Sequence, residues 1–206
     1  MMKLESDVIA LTDLVQERIQ SNIDVKQLLL RDTDFHGFVA QAAVEIVKSM
    51  HAGGKVMFFG NGGSAADAQH LAAEFTGRYL KERRALPALA LHANTSSLTA
   101  IGNDYGFDLV FARQVEALGK PGDVAVGIST SGNSRNVLRA LEVARAASIY
   151  TIALTGGSGG LMKNAAHCTI CIPSYETPRI QECHLLTGHI ICEIAEEMLF
   201  DVFQAR

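Results

Sequence analysis

The hydrophobic pattern of the chain changes after Gly53-Gly54, and this change constrains the fold more than any other feature. From there on, short runs of apolar and β-branched residues alternate with helical stretches, which is typical of a parallel sheet with crossover helices. The runs are apolar throughout, as strands covered on both faces require. They span residues 55–59, 88–91, 123–128, 150–154 and 169–172. The sequence therefore predicts an α/β fold, a three-layer sandwich around a five-stranded parallel sheet.

Two amphipathic helices are predicted before the sheet, over about 5–30 and 35–52, because apolar residues recur there at intervals of three and four. These residues are Val8, Leu11, Val15 and Ile19 in the first helix and Phe38, Ala42 and Ile46 in the second. An apolar stripe of this kind needs a partner. We expect residues 1–206 to form one flavodoxin-like domain whose extra N-terminal helices, within 1–52, take part in oligomer packing.

Composition and charge exclude several classes of protein. The chain has 206 residues, of which 48% are hydrophobic, and a net charge of −4, with no dense run of Lys and Arg. This argues against a nucleic-acid-binding surface. No apolar run approaches the roughly 20 residues of a membrane span, and the first residues lack the apolar core of a signal peptide. The sequence thus predicts a cytoplasmic protein without a membrane or nucleic-acid partner.

The four cysteines all fall in the last fifth of the chain. Cys168 and Cys171 have CxxC spacing, which can indicate a zinc or redox site. They lie in a predicted strand, however, where residues three apart point to opposite faces, and no second CxxC exists. We therefore expect Cys168, Cys171, Cys183 and Cys192 to be core residues.

Three loops rich in small residues follow predicted strands, and ligands of such folds bind beyond the carboxyl ends of the strands. The loop 60–64, Gly-Asn-Gly-Gly-Ser, brings backbone N–H groups to a helix start. The loop 129–134, Ser-Thr-Ser-Gly-Asn-Ser, offers four hydroxyls at another helix start, where anions bind readily. It lacks the Lys of a Walker motif, so a small phosphate ester fits better than a nucleotide. The alternative for 129–134 is plain helix capping, and the loop 155–160 is interpreted as a turn.

Two segments at opposite ends of the chain carry groups suited to acid–base or metal chemistry. His70 and Glu74 are four residues apart on a predicted helix, so their side chains reach a common point. A second helix carries Gln181, His184 and His189. Spacing alone does not decide which of these two imidazoles faces the same site as Gln181.

The motifs together resemble the sugar isomerase (SIS) domain family and, within it, the phosphoheptose isomerases. The resemblance covers nearly the whole chain. It rests on the segments Gly60–Arg78, Gly102–Gly106, Gly127–Ser134 and Arg179–Glu182 through His189. The family acts on phosphorylated sugars, and these members interconvert sedoheptulose 7-phosphate and a heptose 7-phosphate that feeds activated-heptose synthesis for bacterial lipopolysaccharide.

The resemblance implies a set of site residues. Glu74 and His189 would be the catalytic pair, acting through an enediolate, and it is the resemblance that selects His189 over His184. Some members bind zinc through residues matching His70, Glu74, Gln181 and His189, and form homotetramers with sites shared between subunits. The substrate-binding residues would be Asn61, Gly62, Gly63, Ser64, Asp104, Ser129, Thr130, Ser131, Ser134 and Gln181. Two have structural alternatives: Asn61 holding its own turn, and Asp104 capping a helix or forming an Asx-turn.

A non-catalytic member of the family is the alternative interpretation. Some SIS proteins associate with a bacterial replication initiator protein, and Arg135, which follows the serine loop, also occurs on that side of the family. Such an adaptor has no need for Glu74 and His189, so the isomerase is favoured. A sugar-phosphate-sensing transcription regulator would need a helix-turn-helix domain, which the first 50 residues do not supply.

Overall fold

The structure is a computed structural model that describes residues 2–200, with the side chains of residues 2–7 and 10 left out of the description. Five strands form one all-parallel sheet in the order β2-β1-β3-β4-β5, which is the flavodoxin-like order. The strands are β1 (Val56–Gly60), β2 (Ala88–Ala90), β3 (Val124–Ser129), β4 (Tyr150–Gly156) and β5 (Cys168–Ile172). All five predicted strands are confirmed, with bounds that differ by one or two residues.

Helices connect the strands and precede them. Their bounds are α1 (Met2–Arg31), α2 (Thr33–His51), α3 (Gly63–Thr76), α4 (Thr95–Tyr105), α5 (Ala112–Leu118), α6 (Arg135–Ala146), α7 (Met162–Ala165) and α8 (Thr177–Phe200), with a 3-10 turn at Phe107–Leu109. Asp32 caps α2 by accepting a hydrogen bond from the backbone N–H of Phe35 at 2.9 Å. Pro178 lies in the first turn of α8, where a missing N–H costs nothing.

Alternate residues of the central strands pack into two separate cores, and this separation defines the three layers. Val56 and Phe58 of β1 pack with α2, α3 and α8, whereas Met57 and Phe59 pack with α5 and α6 on the other face. Because both faces are covered, every residue of β1 is buried. The three-layer prediction is therefore confirmed.

The four cysteines lie in the interior of the fold, as expected. Cys168, Cys183 and Cys192 are buried and Cys171 is half-buried, and all four are free thiols. Burial raises the pKa of the Cys168 thiol to about 11 and that of the Cys192 thiol to about 12. These cysteines are core residues with inert thiols. Across residues 2–200, none of the helices combines the length and the hydropathy that crossing a bilayer demands.

The helix α1 is covered by the rest of the chain only near its C-terminal end. Its C-terminal part packs on the body of the molecule through Val25 and Leu29, both buried. Toward its N-terminus a row of apolar side chains lies on the surface, and Val15 and Ile19 are 58% and 57% exposed. A large apolar surface therefore remains without a partner in the single chain.

Candidate active site

The site lies where the strand order reverses. β1 has β2 on one side and β3 on the other, so the loops that follow β1 and β3 diverge and leave a crevice beyond the strand ends. The side-chain amides of Asn61, in the loop after β1, and Asn136, in the first turn of α6, form a reciprocal pair of hydrogen bonds, both of 2.9 Å. The amide of Asn61 therefore binds a distant residue that the sequence did not indicate, and not its own turn.

The serine loop 129–134 turns its hydroxyls toward one another. The Oγ atom of buried Ser129 lies 2.9 Å from Ser134 Oγ and 3.5 Å from Ser131 Oγ. Ser134 occupies the N-cap position of α6 but makes no side-chain bond to the helix backbone. The plain capping interpretation is thus not supported, and the hydroxyls converge at the start of a helix where an anion is stabilised.

The glycine-rich loop 155–160 and the residues after it pack against the serine loop and form backbone hydrogen bonds with it. The backbone N–H of Gly156 donates to Thr130 O at 3.1 Å, and that of Met162 donates to Gly132 O at 3.0 Å. Gly132 has a φ of 65°, and a Cβ there would lie 2.1 Å from Gly159 O. Only glycine fits at this position. The third loop is therefore more than a plain turn, because it fixes the shape of the serine loop.

The helices α3 and α8 pack closely, side by side, at the edge of the crevice. A Cβ at Gly188 of α8 would lie 2.5 Å from the buried side chain of Leu71 on α3. A Cβ at Gly63, at the start of α3, would lie 2.3 Å from Gln181 Nε2. The early residues of both helices thus face each other, and so do the later ones.

This contact brings three of the predicted side chains to one point. His70 Nε2 lies 3.1 Å from Glu74 Oε1 on the same helix face and 2.9 Å from His189 Nε2 of α8. Their possible ligand atoms all lie within 4.8 Å of one another. Gln181, the fourth predicted metal ligand, contacts the start of α3, about 10 Å along the helix axis from His70. The cluster forms within a single chain.

The cluster has the composition and spacing of a metal site. Two imidazole nitrogens and one carboxylate oxygen are donors that zinc and similar ions accept. Donors about 2 Å from a tetrahedral ion lie a little over 3 Å apart, close to the separations found here. The side chains are also accessible, since that of His70 is 47% exposed and that of Glu74 is 20% exposed. These residues therefore fit a metal ion.

The two histidines that spacing could not distinguish have opposite environments. His184 is 1% exposed and its Nε2 contacts Thr155 O at 3.1 Å, in the interior. Burial lowers its pKa to about 4, although the bond to Thr155 opposes this shift. His189 instead contacts His70 beside Glu74. His184 is thus a neutral core residue and His189 is the imidazole at the cluster.

Asp104 lies away from the cluster of His70, Glu74 and His189. It is exposed in the last turn of α4 and accepts a hydrogen bond from Asn103 Nδ2 at 2.8 Å. The helix-capping interpretation is wrong, because Asn94 caps α4 and Gly106 is at the N-cap of the 3-10 turn that follows it, without a side-chain cap bond. Asp104 lines a cavity of about 580 Å³ between α4, α5 and β2, and none of the three clustered side chains is among the described residues that line it.

Sequence reasoning missed several residues around the cluster. Tyr79 stacks on the His189 ring, with centroids 5.5 Å apart, and Arg83 pairs with Glu196 at 2.7 Å, with both side chains only 2% exposed. Asp67 precedes His70 by one turn, and burial raises the pKa of its carboxyl to about 6 while His70 opposes the shift. No local pattern marks Tyr79, Arg83 and Glu196, because their partners are distant in sequence.

Comparisons with known proteins identify the family of the chain. The family model described as the SIS domain matches residues 25–156. The phosphoheptose isomerase of Aquifex aeolicus (strain VF5) is 58% identical over 161 residues, which is 78% of this chain and 84% of that protein. That of Aneurinibacillus thermoaerophilus is 47% identical over 190 residues, or 92% and 96% of the two chains.

A solved structure extends the similarity to three dimensions. The phosphoheptose isomerase from Neisseria gonorrhoeae has a TM-score of 0.85 and 44% identity, covering 91% of this chain and 99% of that one. A second, from Francisella tularensis, has a TM-score of 0.86 and 38% identity, covering 90% and 98%. The chain therefore belongs to the SIS domain family and, within it, to the phosphoheptose isomerases, which makes it a phosphosugar isomerase.

Proposed function

We propose that the protein interconverts sedoheptulose 7-phosphate and D-glycero-D-manno-heptose 7-phosphate. The observation that carries the proposal is the meeting of the Glu74 carboxylate and the His189 imidazole, both near His70 Nε2, at the crevice edge. The names of the curated relatives support a heptose phosphate as the substrate class. An adaptor that lacks catalysis has no use for this pair.

The substrate phosphate would bind at the serine loop. Ser129, Thr130, Ser131 and Ser134 offer hydroxyls and backbone N–H groups at the start of α6, where the helix dipole favours an anion. The mutual hydrogen bonds of the hydroxyls hold them close together before a phosphate arrives. A pre-organised cradle binds the phosphate at a lower entropic cost.

The sugar chain would run from this cradle to the cluster. The residues assigned to contact it are Asn61, Gly62, Gly63, Ser64 and Gln181, whereas Asp104 lines a separate cavity of the same chain. The amide of Asn61 is engaged with Asn136, so its backbone is the more available contact. Gly62 has a φ of 56° at the start of α3, which leaves the backbone open to close approach by a ligand.

Isomerisation requires a proton to leave one carbon and another to arrive at its neighbour. We assign the transfer between C1 and C2 to Glu74, which reaches both carbons of an enediolate. His189 would move protons at the two oxygens and assist the opening of the cyclic sugar. The negative oxygen that develops must be stabilised by nearby donors.

We propose zinc as the metal, held by His70, Glu74 and His189. Gln181, the fourth ligand that the resemblance implies, contacts the start of α3 instead. When bound, it would act as a Lewis acid on the oxygens of the substrate. The donor set supports this assignment, because two nitrogens and one oxygen suit zinc. Elemental analysis of the purified protein tests it. Full activity after chelation, with zinc loss verified, would contradict a role for the ion.

Replacement of Glu74 by Gln tests the function directly. The amide keeps the shape of the side chain but cannot accept a proton from carbon, so kcat on sedoheptulose 7-phosphate should fall by about 10²- to 10⁴-fold. Binding of the phosphate should persist, as measured by the shift in melting temperature that the substrate causes. The matched control is Glu82→Gln, because the Glu82 side chain is 91% exposed.

Two results would contradict the proposal. The base assignment fails if Glu74→Gln keeps near-normal turnover. The proposed isomerase activity is contradicted if the wild-type protein shows no conversion of sedoheptulose 7-phosphate. Capture of a replication initiator protein by such an inactive protein would then favour the adaptor.

A further inference from the structure

The segment that follows α3 is fastened to α8 by one buried carboxylate. Glu196 accepts hydrogen bonds from three consecutive backbone N–H groups, those of Tyr79, Leu80 and Lys81, at 2.9 to 3.0 Å. Burial alone would raise the pKa of its carboxyl, but these donors and Arg83 together lower it. Glu196 therefore stays charged near neutral pH, and the position of residues 79–81 is fixed relative to α8.

Arg83 completes this arrangement at the end of α3. Its Nε donates to Glu196 at 2.7 Å, and its Nη1 and Nη2 donate to the carbonyls of Phe75 and Glu74 at 3.0 and 2.7 Å. Carbonyls in the last turn of a helix have no partner within the helix. A single guanidinium thus joins the last turn of the helix that carries Glu74 to the helix that carries His189.

The side chain held by this arrangement lies on the imidazole. The ring of Tyr79 stacks on His189 at an interplanar angle of 26°, while His70 meets the same imidazole edge to face at 5.1 Å. His189 sits seven residues before Glu196, on the same face of α8. The imidazole is therefore in contact with two rings, and the Tyr79 contact restricts its rotation.

We propose that Tyr79 is a positioning residue for His189, held in place by Glu196 and Arg83, and that it keeps the imidazole directed at Glu74. This inference rests on the proposed function, in which His189 transfers protons at the substrate oxygens. Tyr79 acts through its ring face and its fixed backbone, not through its hydroxyl. A group displaced by about 1 Å can lose on the order of 10²-fold in rate.

Three variants separate positioning from simple destabilisation. Tyr79→Leu removes the stacked ring, and we expect kcat to fall about 10- to 100-fold with KM changed less than about threefold. Tyr79→Phe keeps the ring and should restore kcat to within about threefold of wild type. Tyr150→Leu is the matched control, because Tyr150 stacks in the same way on His167, at 5.0 Å, at the amino-terminal ends of β4 and β5.

A second readout does not depend on turnover. In proton NMR spectra of the full chain without substrate, the His189 ring signals, assigned by their absence in His189→Gln, should be displaced by the Tyr79 ring current. The displacement should disappear in Tyr79→Leu and remain in Tyr79→Phe. In the His189→Gln background, Tyr79→Leu should cause no further loss of the residual kcat, because both changes act through one group.

The proposal is overturned if Tyr79→Leu leaves kcat and the His189 signals unchanged, or lowers kcat equally in the His189→Gln background. It is also overturned if Tyr150→Leu causes the same loss. A wild-type protein inactive on sedoheptulose 7-phosphate would reject the proposed function instead. The NMR comparison would still decide whether Tyr79 fixes the imidazole.

Discussion

Two histidines of α8 differ in burial and in contacts, although they lie on the same helix. His184 and His189 are five residues apart, but the first is buried against Thr155 and the second contacts His70 and stacks with Tyr79. Burial stabilises the uncharged form of His184, whose Nδ1 has no hydrogen-bond partner among the described residues. An imidazole that stays uncharged near neutral pH is a poor acid, and this is consistent with the assignment of proton transfer to His189 in the proposed function.

The low pKa of His184 predicts a pH dependence of stability. In the folded protein it is about 4, against a usual value of 6.5, so the unfolded chain binds the proton more tightly. Stability is then full above about pH 6.5 and declines as the pH falls toward 4. Between pH 7.5 and pH 5 the contribution of His184 to the free energy of unfolding should decrease by about 2 kcal/mol.

The measurement is the free energy of unfolding in urea at both pH values and at one protein concentration. Wild type is compared with His184→Gln, which keeps a donor for Thr155 O but does not titrate. The difference between the two proteins isolates His184 from the other ionisable groups. An equal loss of stability in both proteins would show that His184 is not the cause.

At the scale of elements, the site depends on how closely α3 and α8 approach. Gly188 allows the contact, because a methyl group there would meet the Leu71 side chain, which is 1% exposed. We expect Gly188→Ala to separate the helices slightly, to cost about 1–3 kcal/mol of stability, and to move His189 away from Glu74. The serine loop follows β3 and is attached to neither helix, so it should be unaffected.

Steady-state kinetics should therefore show a selective loss in Gly188→Ala. We expect kcat to fall by about tenfold or more, while the inhibition constant of inorganic phosphate stays within about twofold, since the phosphate cradle is intact. Gly37→Ala is the control, because that glycine lies in α2 with open space around it. An unchanged kcat in Gly188→Ala would mean that the helix contact does not set the geometry of the cluster.

The elements themselves follow from local sequence, and the contacts between them do not. Apolar runs between glycine-rich loops predicted all five strands, and the four-residue spacing predicted that His70 and Glu74 share a face. The pairing of Asn61 with Asn136 and of Arg83 with Glu196 joins residues 75 and 113 positions apart. The local sequence around either residue of such a pair does not indicate its partner, because the packing of the whole chain brings the two together.

At the scale of the whole molecule, one chain assembles the cluster but leaves an apolar surface uncovered. Exposed apolar residues of α1 recur along one face at helical spacing, and the row comprises Val8, Leu11, Val15, Ile19 and Ile23. Apolar patches of this kind mark association surfaces. The row therefore favours packing of α1 against further copies of the chain, and a homotetramer is the assembly that the family resemblance implies.

Charges introduced into this row test the assembly. Val15→Lys combined with Ile19→Lys places two ammonium groups on the apolar face, and burying them in an interface would be costly. Sedimentation analysis should therefore show a tetramer for wild type and smaller species for the double variant at the same concentration. Glu17→Lys adds a charge to the same helix at an already polar, exposed position and should remain tetrameric. A wild-type monomer, or a double variant that remains a tetramer, would exclude α1 as the contact that holds the subunits together.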